Sequence, residues 1–455
     1  MWPLDIGFET IGNATIIAYD EEPVFVTDPW IQGAAYFGSW TQTHAIPDEQ
    51  RRAILACPVV WFSHGHPDHL NADSLPLFKD KRILLPDHVG GRMATELKQQ
   101  GYRVEILRDR TWVPISKRVK VMCIADLGQD SVLLIDINGR LLVNTNDCGE
   151  NGWGWFVRRI VKKYATSFLL SLSGYGDADM NNFYDENGKF LTPEPMLRKP
   201  FGDRIAEATE KMGTRYFAVS SSLHCYQRTD SVWANAMVAD LDAYGIGFHS
   251  NRCELLPAFI RFHCGEDRWE KINPPANEIR PLAPEIFGDS WAERLKPEDL
   301  SDAKRYFNAV ECLQDGMSFI RLKVGGETHS ISLGDSTVPR GVTFEAPRAS
   351  LMTAIRCEVF DDMLIGNFMK TTLHGVWPAL ALHPYFTAFV GKYADNGRAK
   401  KRAEVAAYKR EYERRSFRLK LLRLQNETKT KFRESLGESS LTVRLAKKIY
   451  RGLVR

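Results

Sequence analysis

Short runs of apolar residues, separated by polar turns, predict strands along most of the chain. The run at 53–62 ends in β-branched and aromatic side chains, which are typical of a buried strand. The runs at 130–136 and 140–144 flank Asn138-Gly139, a dipeptide that favours a hairpin turn. Together these patterns predict an α/β fold. Further strands are predicted at 14–19, 24–30, 82–86, 104–107, 119–124 and 216–219, and a helix near 91–100.

A second region begins after residue 285, where prolines and a glycine interrupt the pattern. It contains no recognisable chemical motif, so we expect it to shape a substrate site or to form a dimer contact. The sequence therefore predicts a first domain at 1–285, an accessory α+β domain at 286–395 and a tail at 396–455. The elements predicted in the accessory domain are helices at 297–314 and 349–359 and strands at 319–324, 330–333 and 342–345.

The composition fits a protein with a large core. With 44% hydrophobic residues, a chain of 455 residues can bury two domains or one large domain with an appendage. No apolar run approaches the roughly 20 residues of a membrane-spanning helix, and the first residues do not resemble a secretory signal. The eight cysteines form no C-x-x-C pair. We therefore expect a reducing, cytoplasmic setting and no iron–sulfur centre within this sequence.

Charge is distributed unevenly along the chain. The 58 residues from Arg398 onward contain 19 Lys and Arg against 6 Asp and Glu, whereas residues 1–397 carry a net charge of −10. The tail is predicted to be helical, with four leucines between 419 and 424 among its basic residues. Such a tail suits an acidic membrane surface, nucleic acid or an acidic protein, and peripheral membrane association is one option. A solvated helix with one packed stripe is an equally good interpretation.

Three histidines and an aspartate lie within six residues in the pattern His-x-His-x-Asp-His. They are His64, His66, Asp68 and His69, and they directly follow the strand predicted at the end of 53–62. Imidazole and carboxylate groups suit zinc, iron or manganese. His64 and His66 can bind one ion, while Asp68 and His69 point to the other side and can bind a second. Because the chain has only 11 histidines, this cluster predicts a dinuclear metal site.

This motif is the signature of the metallo-β-lactamase superfamily, which the chain resembles. The resemblance implies an αββα sandwich, here with a C-terminal α+β appendage and a basic helical tail. It also implies a metal-bridging role for Asp147, which closes a predicted strand, although an N-cap is the ordinary role of such an aspartate. The last expected ligand follows a later strand, where His224 is placed; a structural histidine is the alternative. His249 and His263 are interpreted as structural.

One histidine that the superfamily supplies between the motif and Asp147 is missing here. The segment at 124–131 offers Asp126 in its place, with Asp130 as the competitor. A carboxylate in place of an imidazole makes a site harder and more anionic, which favours iron or manganese over zinc. We therefore expect two metal ions, with iron favoured and zinc or manganese as alternatives.

Several segments resemble one branch of the superfamily, the metallo-β-lactamase-like portion of CMP-N-acetylneuraminate hydroxylase. That enzyme hydroxylates the N-acetyl group of a nucleotide-linked sialic acid and carries a Rieske iron–sulfur domain, which has no counterpart in this sequence. The resemblance therefore implies a separate electron-donor protein. The carboxylate-rich site is also similar to that of the di-iron β-hydroxylases of antibiotic assembly lines. The segments that carry the resemblance are 27–33, 64–70, 130–148 and 171–176.

The favoured hypothesis is a di-iron oxygenase acting on a small polar or carrier-linked substrate, which the aromatic loop at 33–47 would cover. The alternative is a hydrolase in which two ions generate a hydroxide that attacks an ester, lactone or phosphodiester. A degenerate binding module is a third possibility, against which the complete motif argues. Asp68 and Asp147 are the predicted catalytic residues. The predicted ligands are His64, His66 and Asp126 for one ion, Asp68, His69 and His224 for the other, and Asp147 as the bridge.

Overall fold

Two large β-sheets pack face to face in the computed structural model, which describes residues 2–174, 180–191, 201–377, 382 and 385–421. Predictions for 175–176 and for the tail beyond 421 concern positions outside the described residues. The strands are β1 (Ile6–Ile11), β2 (Thr15–Asp20), β3 (Glu22–Thr27), β4 (Trp40–Gln42), β5 (Val59–Trp61), β6 (Arg82–Pro86), β7 (Arg103–Leu107), β8 (Trp112–Pro114), β9 (Val119–Ala125), β10 (Ser131–Ile137), β11 (Arg140–Asn146), β12 (Thr166–Ser171), β13 (Phe183–Tyr184), β14 (Tyr216–Val219), β15 (His224–Tyr226), β16 (Glu254–Leu255), β17 (Ile260–His263), β18 (Arg268–Lys271), β19 (Phe319–Val324), β20 (Glu327–Ser332), β21 (Gly341–Glu345) and β22 (Lys370–His374).

In the described part of the chain, the α-helices are fewer than the strands. The α-helices are α1 (Asp48–Ala56), α2 (Arg92–Gln99), α3 (Gly154–Val161), α4 (Gly202–Met212), α5 (Pro297–Ala309), α6 (Arg348–Cys357), α7 (Phe360–Ile365) and α8 (Arg402–Arg415). A π-helix spans Ala388–Asn396, and 3₁₀ turns lie at Leu75–Phe78, Val232–Ala236, Leu241–Gly245, Pro284–Phe287 and Glu311–Asp315.

Each large sheet combines an antiparallel part with a parallel part. The first sheet has the order β18-β17-β1-β2-β3-β5-β6-β7, and β3, β5, β6 and β7 are mutually parallel. The second has the order β16-β14-β12-β11-β10-β9-β8, and β11, β12, β14 and β16 are mutually parallel. Because parallel neighbours end at the same edge, the loops that follow them meet along one side of the sandwich.

One apolar core lies between the two sheets. Trp61 and Leu84 from the first sheet pack in one apolar cluster with Leu133 of the second. Phe8 and Phe168 meet across the layers edge to face, with ring centroids 5.0 Å apart. Fully burying one such side chain contributes roughly 1.5–3 kcal/mol, so this cluster stabilises the packing of the two sheets.

Helices cover the outer faces of both sheets. On the first sheet, α1 buries Ala53 and Ile54 against residues such as Val26. On the second sheet, α3 and α4 bury Val157 and Ile205 in the same way. The layers therefore follow the order α-β-β-α, and the predicted fold class is confirmed.

Most predicted elements of the sandwich are present with shifts of one or two residues. The hairpin between β10 and β11 turns at Asn138 and Gly139, both of which have positive φ as a two-residue hairpin requires.

One helix predicted in the accessory domain was too long. The helix predicted at 297–314 ends at Ala309, because the Glu311 N–H donates to the Lys400 carbonyl at 3.0 Å instead of continuing the helix.

The accessory domain forms a five-stranded sheet with its own apolar cluster. Its strand order is β13-β22-β21-β19-β20, and α5, α6 and α7 contribute to the same cluster. The edge strand β13 lies far upstream at Phe183–Tyr184 and pairs with β22. The two cores are thus distinct, but the chain before residue 285 supplies one strand to the second sheet.

The described part of the basic tail contains α8, which packs against the sandwich. Tyr408 and Tyr412 are buried there, while several basic residues face outward, including Arg410 and Arg414. Among the described residues, none of the helices combines the length and apolar character needed to cross a membrane.

Candidate metal centre

All the predicted ligands follow strands that end at one edge of the sandwich. The motif follows β5, Asp147 follows β11, and His224 opens β15 shortly after β14. Asp126 directly follows β9, whose end is paired with the start of β10 at this same edge. Parallel strand ends and one hairpin loop therefore bring residues from distant parts of the chain together.

The three motif histidines each use one ring nitrogen for an outer partner. His64 Nδ1 lies 2.9 Å from the Ser63 hydroxyl, and His69 Nδ1 lies 3.1 Å from Asp28 Oδ2. His66 uses its other nitrogen, Nε2, which lies 3.3 Å from Asp361 Oδ2. Such outer contacts fix the tautomer and orientation of metal-binding imidazoles.

The remaining nitrogens of these rings converge. His64 Nε2 lies 2.9 Å from His66 Nδ1 and 3.7 Å from Asp147 Oδ2. One ligand atom from each of these three residues falls within 4.8 Å of the others. We call His64, His66 and Asp147 the compact set. Three converging donors of this kind match the protein part of a tetrahedral or octahedral metal site.

Asp147 lies between the two halves of the motif. Its Oδ2 faces His64, while Oδ1 lies 3.6 Å from His69 Nε2 and has no hydrogen-bond partner among the described residues. Burial acts against ionisation, but His69 outweighs it and holds the pKa of Asp147 below its ordinary value. This position suits the bridging role predicted for Asp147.

Asp68 is buried and held on both oxygens. Its Oδ1 accepts a hydrogen bond from the Tyr36 hydroxyl at 2.6 Å, and Oδ2 accepts one from Asn13 Nδ2 at 2.8 Å. His69 Nε2 lies 3.4 Å from the same Oδ2. The predicted pair Asp68 and His69 is therefore assembled beside Asp147.

His224 is fully buried and stacks on Trp40, with ring centroids 3.3 Å apart and planes 2° apart. Neither of its ring nitrogens has a hydrogen-bond partner in the described part of the chain. Burial lowers the pKa of His224 to about 3, so the ring is neutral. Since buried polar groups are almost always satisfied, a neutral buried imidazole without partners suits a metal ligand. Its nitrogens are not among the ligand atoms that converge in the compact set, so the assignment of His224 stays a prediction.

The loop that lacks the superfamily histidine holds its two aspartates differently. Asp126 Oδ1 accepts hydrogen bonds from the Gly128 N–H at 2.9 Å and from Asn151 Nδ2 at 2.7 Å. Burial raises the pKa of Asp126 to about 7. Asp130 Oδ1 lies 3.7 Å from Lys392 Nζ. The structure does not bring either aspartate into the compact set, so the assignment of Asp126 stays a prediction.

Sequence reasoning missed two carboxylates of the accessory domain. Asp361 and Asp362, at the start of α7, have ligand atoms that lie with one of His66 within 4.8 Å of one another. Adjacent aspartates in a first helical turn are ordinarily interpreted as helix-stabilising residues, so no local signal identified them. Asp28 lies in the segment 27–33 that carries the branch resemblance, but the sequence predicts no role for it in the metal site. The accessory domain therefore contributes directly to this edge.

An αββα sandwich with His-x-His-x-Asp-His at its strand-end edge fits the predicted resemblance to metallo-β-lactamase-like proteins. The curated relatives confirm the resemblance to one branch. Cytidine monophosphate-N-acetylneuraminic acid hydroxylase of Asterias rubens is 29% identical over 140 residues, which cover 29% of this chain and 21% of the relative. The Sus scrofa protein of the same name is 25% identical over 170 residues, which cover 34% and 39%.

The chain thus spans two-fifths or less of the length of these relatives. No family model matches the chain. Among solved structures, the diiron β-hydroxylase CmlA from Streptomyces venezuelae has a TM-score of 0.38 and 12% identity, covering 57% of this chain and 54% of its own. Igni18, a metallo hydrolase from Ignicoccus hospitalis, has a TM-score of 0.36 and 12% identity, covering 57% and 98%.

Proposed function

We propose that this protein is a dinuclear metal oxygenase that hydroxylates a small polar or carrier-linked substrate. The observation that carries the proposal is the concentration of aspartates at this edge, where seven carboxylates lie among four imidazoles. The groups assigned directly to the ions are four imidazoles and two carboxylates, and a further carboxylate ligand such as Asp126 in place of the missing histidine would make the site harder and more anionic, which favours iron or manganese over zinc. The name of the curated relatives, a hydroxylase, supports the same choice. The groups at this edge are Asp28, Asp68, Asp126, Asp130, Asp147, Asp361 and Asp362 together with His64, His66, His69 and His224.

The chain's own residues would hold the ions and keep the site dry. The compact set would bind one ion, and Asp68, His69 and His224 would bind the other, with Asp147 shared. When bound, reduced iron would supply the activation of dioxygen. Tyr36 and Trp40, both fully buried, close one side of the site and exclude water from it.

An oxygenase of this kind needs electrons from another molecule. We propose a separate donor protein, since the sequence contains no cysteine pair suited to an iron–sulfur centre. The exposed basic side of α8 and of the residues after it suits an acidic donor surface. If so, donor-dependent turnover falls steeply with added salt, whereas turnover driven by a small chemical reductant does not.

The test is a redox experiment on iron-loaded protein. The protein is reduced anaerobically with dithionite and then exposed to dioxygen, and the oxidation state is followed by Mössbauer spectroscopy. We expect about two irons per chain to be reduced and then reoxidised together. The His64→Ala variant is the control and should lose this paired response. Iron that is neither reduced nor reoxidised in the wild-type protein would contradict an oxygenase.

The second candidate is a metal-dependent hydrolase. Asp147 faces His64 on one oxygen and His69 on the other, which suits two ions roughly 3.5–4 Å apart that share a hydroxide. Zinc-loaded protein should then hydrolyse a model ester, lactone or phosphodiester. Turnover of one of these substrates by the zinc form, together with no response of the iron form to dioxygen, would favour this alternative.

A further inference from the structure

Asp361 connects the accessory domain to the metal motif. It is the second residue of α7, and its Oδ2 lies 3.3 Å from Nε2 of His66, which is 295 residues away along the chain. Both side chains are buried. A polar contact of this length between buried groups of two domains is a specific arrangement, because a buried polar group left without a partner destabilises the fold.

The two nitrogens of His66 have different surroundings. Nδ1 belongs to the compact set, 2.9 Å from His64 Nε2, whereas Nε2 faces Asp361. A neutral imidazole carries its proton on only one nitrogen. A carboxylate at Nε2 holds the proton there, which leaves the Nδ1 lone pair directed at His64 and Asp147.

We propose that Asp361 is a positioning residue of the metal centre, which orients His66 for metal binding. The accessory domain thereby completes a site whose ligands lie mostly in the sandwich. Outer carboxylates on metal-binding histidines typically contribute 10–100-fold to metal affinity. The inference concerns metal affinity, so it stands for an oxygenase and for a hydrolase alike.

The packing around Asp361 supports a fixed position. A Cβ at position 391 would lie 2.6 Å from Asp361 Oδ2, so any side chain larger than that of Gly391 would displace this carboxylate. π-Helical segments occur frequently at functional sites. The carboxylate is thus held between the π-helix on one side and His66 on the other.

The neighbouring Asp362 provides the main alternative. It is 9% exposed, and its carboxylate has no hydrogen bond or ion pair to any described residue, whereas its backbone N–H donates to the Val359 carbonyl. Asp361 and Asp362 could therefore bind a cation directly, with His66 Nε2 as a third ligand. The position of Nδ1 in the compact set favours orientation over this direct binding, and the two cases predict different variant behaviour.

The experiment measures zinc and cobalt affinity of the full chain by chelator competition, together with the cobalt absorption spectrum. Asp361→Ala should weaken binding of one ion 10–100-fold and alter its cobalt bands. Asp361→Asn keeps an acceptor oxygen, so it should fold normally and restore part of the affinity. The matched control is Asp299→Asn, a buried aspartate of the same domain that accepts from Arg348 and Arg356 and, in the described structure, contacts neither His66 nor α7; its metal affinity should equal that of the wild type.

Two results would overturn the proposal. One is wild-type affinity and an unchanged cobalt spectrum in a folded Asp361→Asn or Asp361→Ala protein. The other is the loss of one whole ion per chain in both Asp361→Ala and Asp362→Ala, which would show direct binding by the carboxylate pair.

Discussion

Asp28 Oδ2 lies 3.1 Å from Nδ1 of His69, and both side chains are fully buried. Asp28 also accepts hydrogen bonds from the Ser63 N–H at 2.7 Å and from Asn146 Nδ2 at 2.7 Å. One carboxylate thus joins the loops after β3, β5 and β11. It leaves Nε2 of His69 directed at Asp68 and Asp147.

The first prediction concerns this carboxylate. In Asp28→Asn, the amide has only one acceptor oxygen for three donors, so His69 loses its fixed orientation. We expect 10–100-fold weaker binding of the ion that His69 holds, measured by chelator competition.

Asp136→Asn is the matched control for Asp28→Asn. Asp136 is also a buried aspartate with three partners, the Gly139 N–H, the Tyr164 hydroxyl and Lys120 Nζ, but it lies near the far end of β10 from the metal edge. Its metal affinity should be unchanged. If Asp28→Asn and the wild type bound metal with equal affinity, Asp28 would not be needed to orient His69 for metal binding.

The second prediction concerns His224. His224→Phe keeps an aromatic ring against Trp40 but removes both nitrogens, which have no partner in the described structure. We expect the variant to fold with nearly unchanged stability and to bind one ion fewer per chain. Elemental analysis of both proteins measures this. His44→Phe, at a histidine outside the site, should keep full metal content; full content in His224→Phe would assign His224 a purely structural role.

The third prediction compares Asp126 and Asp130. If Asp126 replaces the missing histidine, Asp126→Ala lowers metal content and Asp130→Ala does not. If Asp130 is the ligand, the order reverses. Full metal and full activity in Asp126→Ala would show that the assignment of Asp126 is wrong.

The fourth prediction concerns the tail. The Tyr408 hydroxyl donates to the Leu127 carbonyl at 2.6 Å and accepts from Gln129 Nε2 at 2.9 Å. Tyr408→Phe removes both bonds at a cost of about 1–3 kcal/mol, and faster hydrogen exchange should appear at 126–130. Tyr164→Phe, which removes a hydroxyl from a distant site, should leave exchange in this loop unchanged. Unchanged hydrogen exchange at 126–130 in Tyr408→Phe would show that α8 does not stabilise this loop.

The fifth prediction concerns pH and the accessory domain. Asp299 is buried and accepts from Arg348 Nε at 2.6 Å and from Arg356 Nη2 at 2.8 Å. Burial acts against ionisation, but the hydrogen bonds of Arg348 outweigh it and lower the pKa of Asp299. The resulting stability is therefore present above the unfolded-state pKa of about 3.9 and is lost as the pH falls through the lower folded value.

Denaturant unfolding of Asp299→Asn at several pH values tests this. We expect a loss of roughly 1–3 kcal/mol at pH 7 and a progressively smaller loss as the pH falls below the ordinary aspartate pKa of about 3.9, because the stability that the ionised carboxylate contributes to the wild type is lost there. A difference that does not depend on pH would contradict the role of the ionised group.

The sandwich and the histidine-rich motif could be predicted from the sequence because each depends on residues that are close together along the chain. The strand at 82–86 and the Asn138-Gly139 turn depend on neighbouring residues, and His64 to His69 follow one another directly. The contribution of Asp361 to the metal centre could not be predicted from the sequence. Its partner His66 is 295 residues away, and only the packing of α7 against the motif brings the two together.

The position of the Asp126–Asp130 loop also could not be predicted from its neighbouring residues. A sequence shows that a histidine is absent, but it does not show that Gly128 and Asn151 already occupy one oxygen of Asp126. The stack of Trp40 on His224, which are 184 residues apart along the chain, depends on the pairing of β4 with β15. Long-range pairing of this kind has no local signature.

The central claim is a dinuclear metal centre at this edge, and the most direct test is elemental analysis of wild-type protein purified without added metal. We expect about two ions per chain, with iron exceeding zinc, and the loss of both ions in a His64→Ala, His69→Ala double variant. A folded wild-type protein that contains no metal and binds none on addition of iron, manganese or zinc would contradict it.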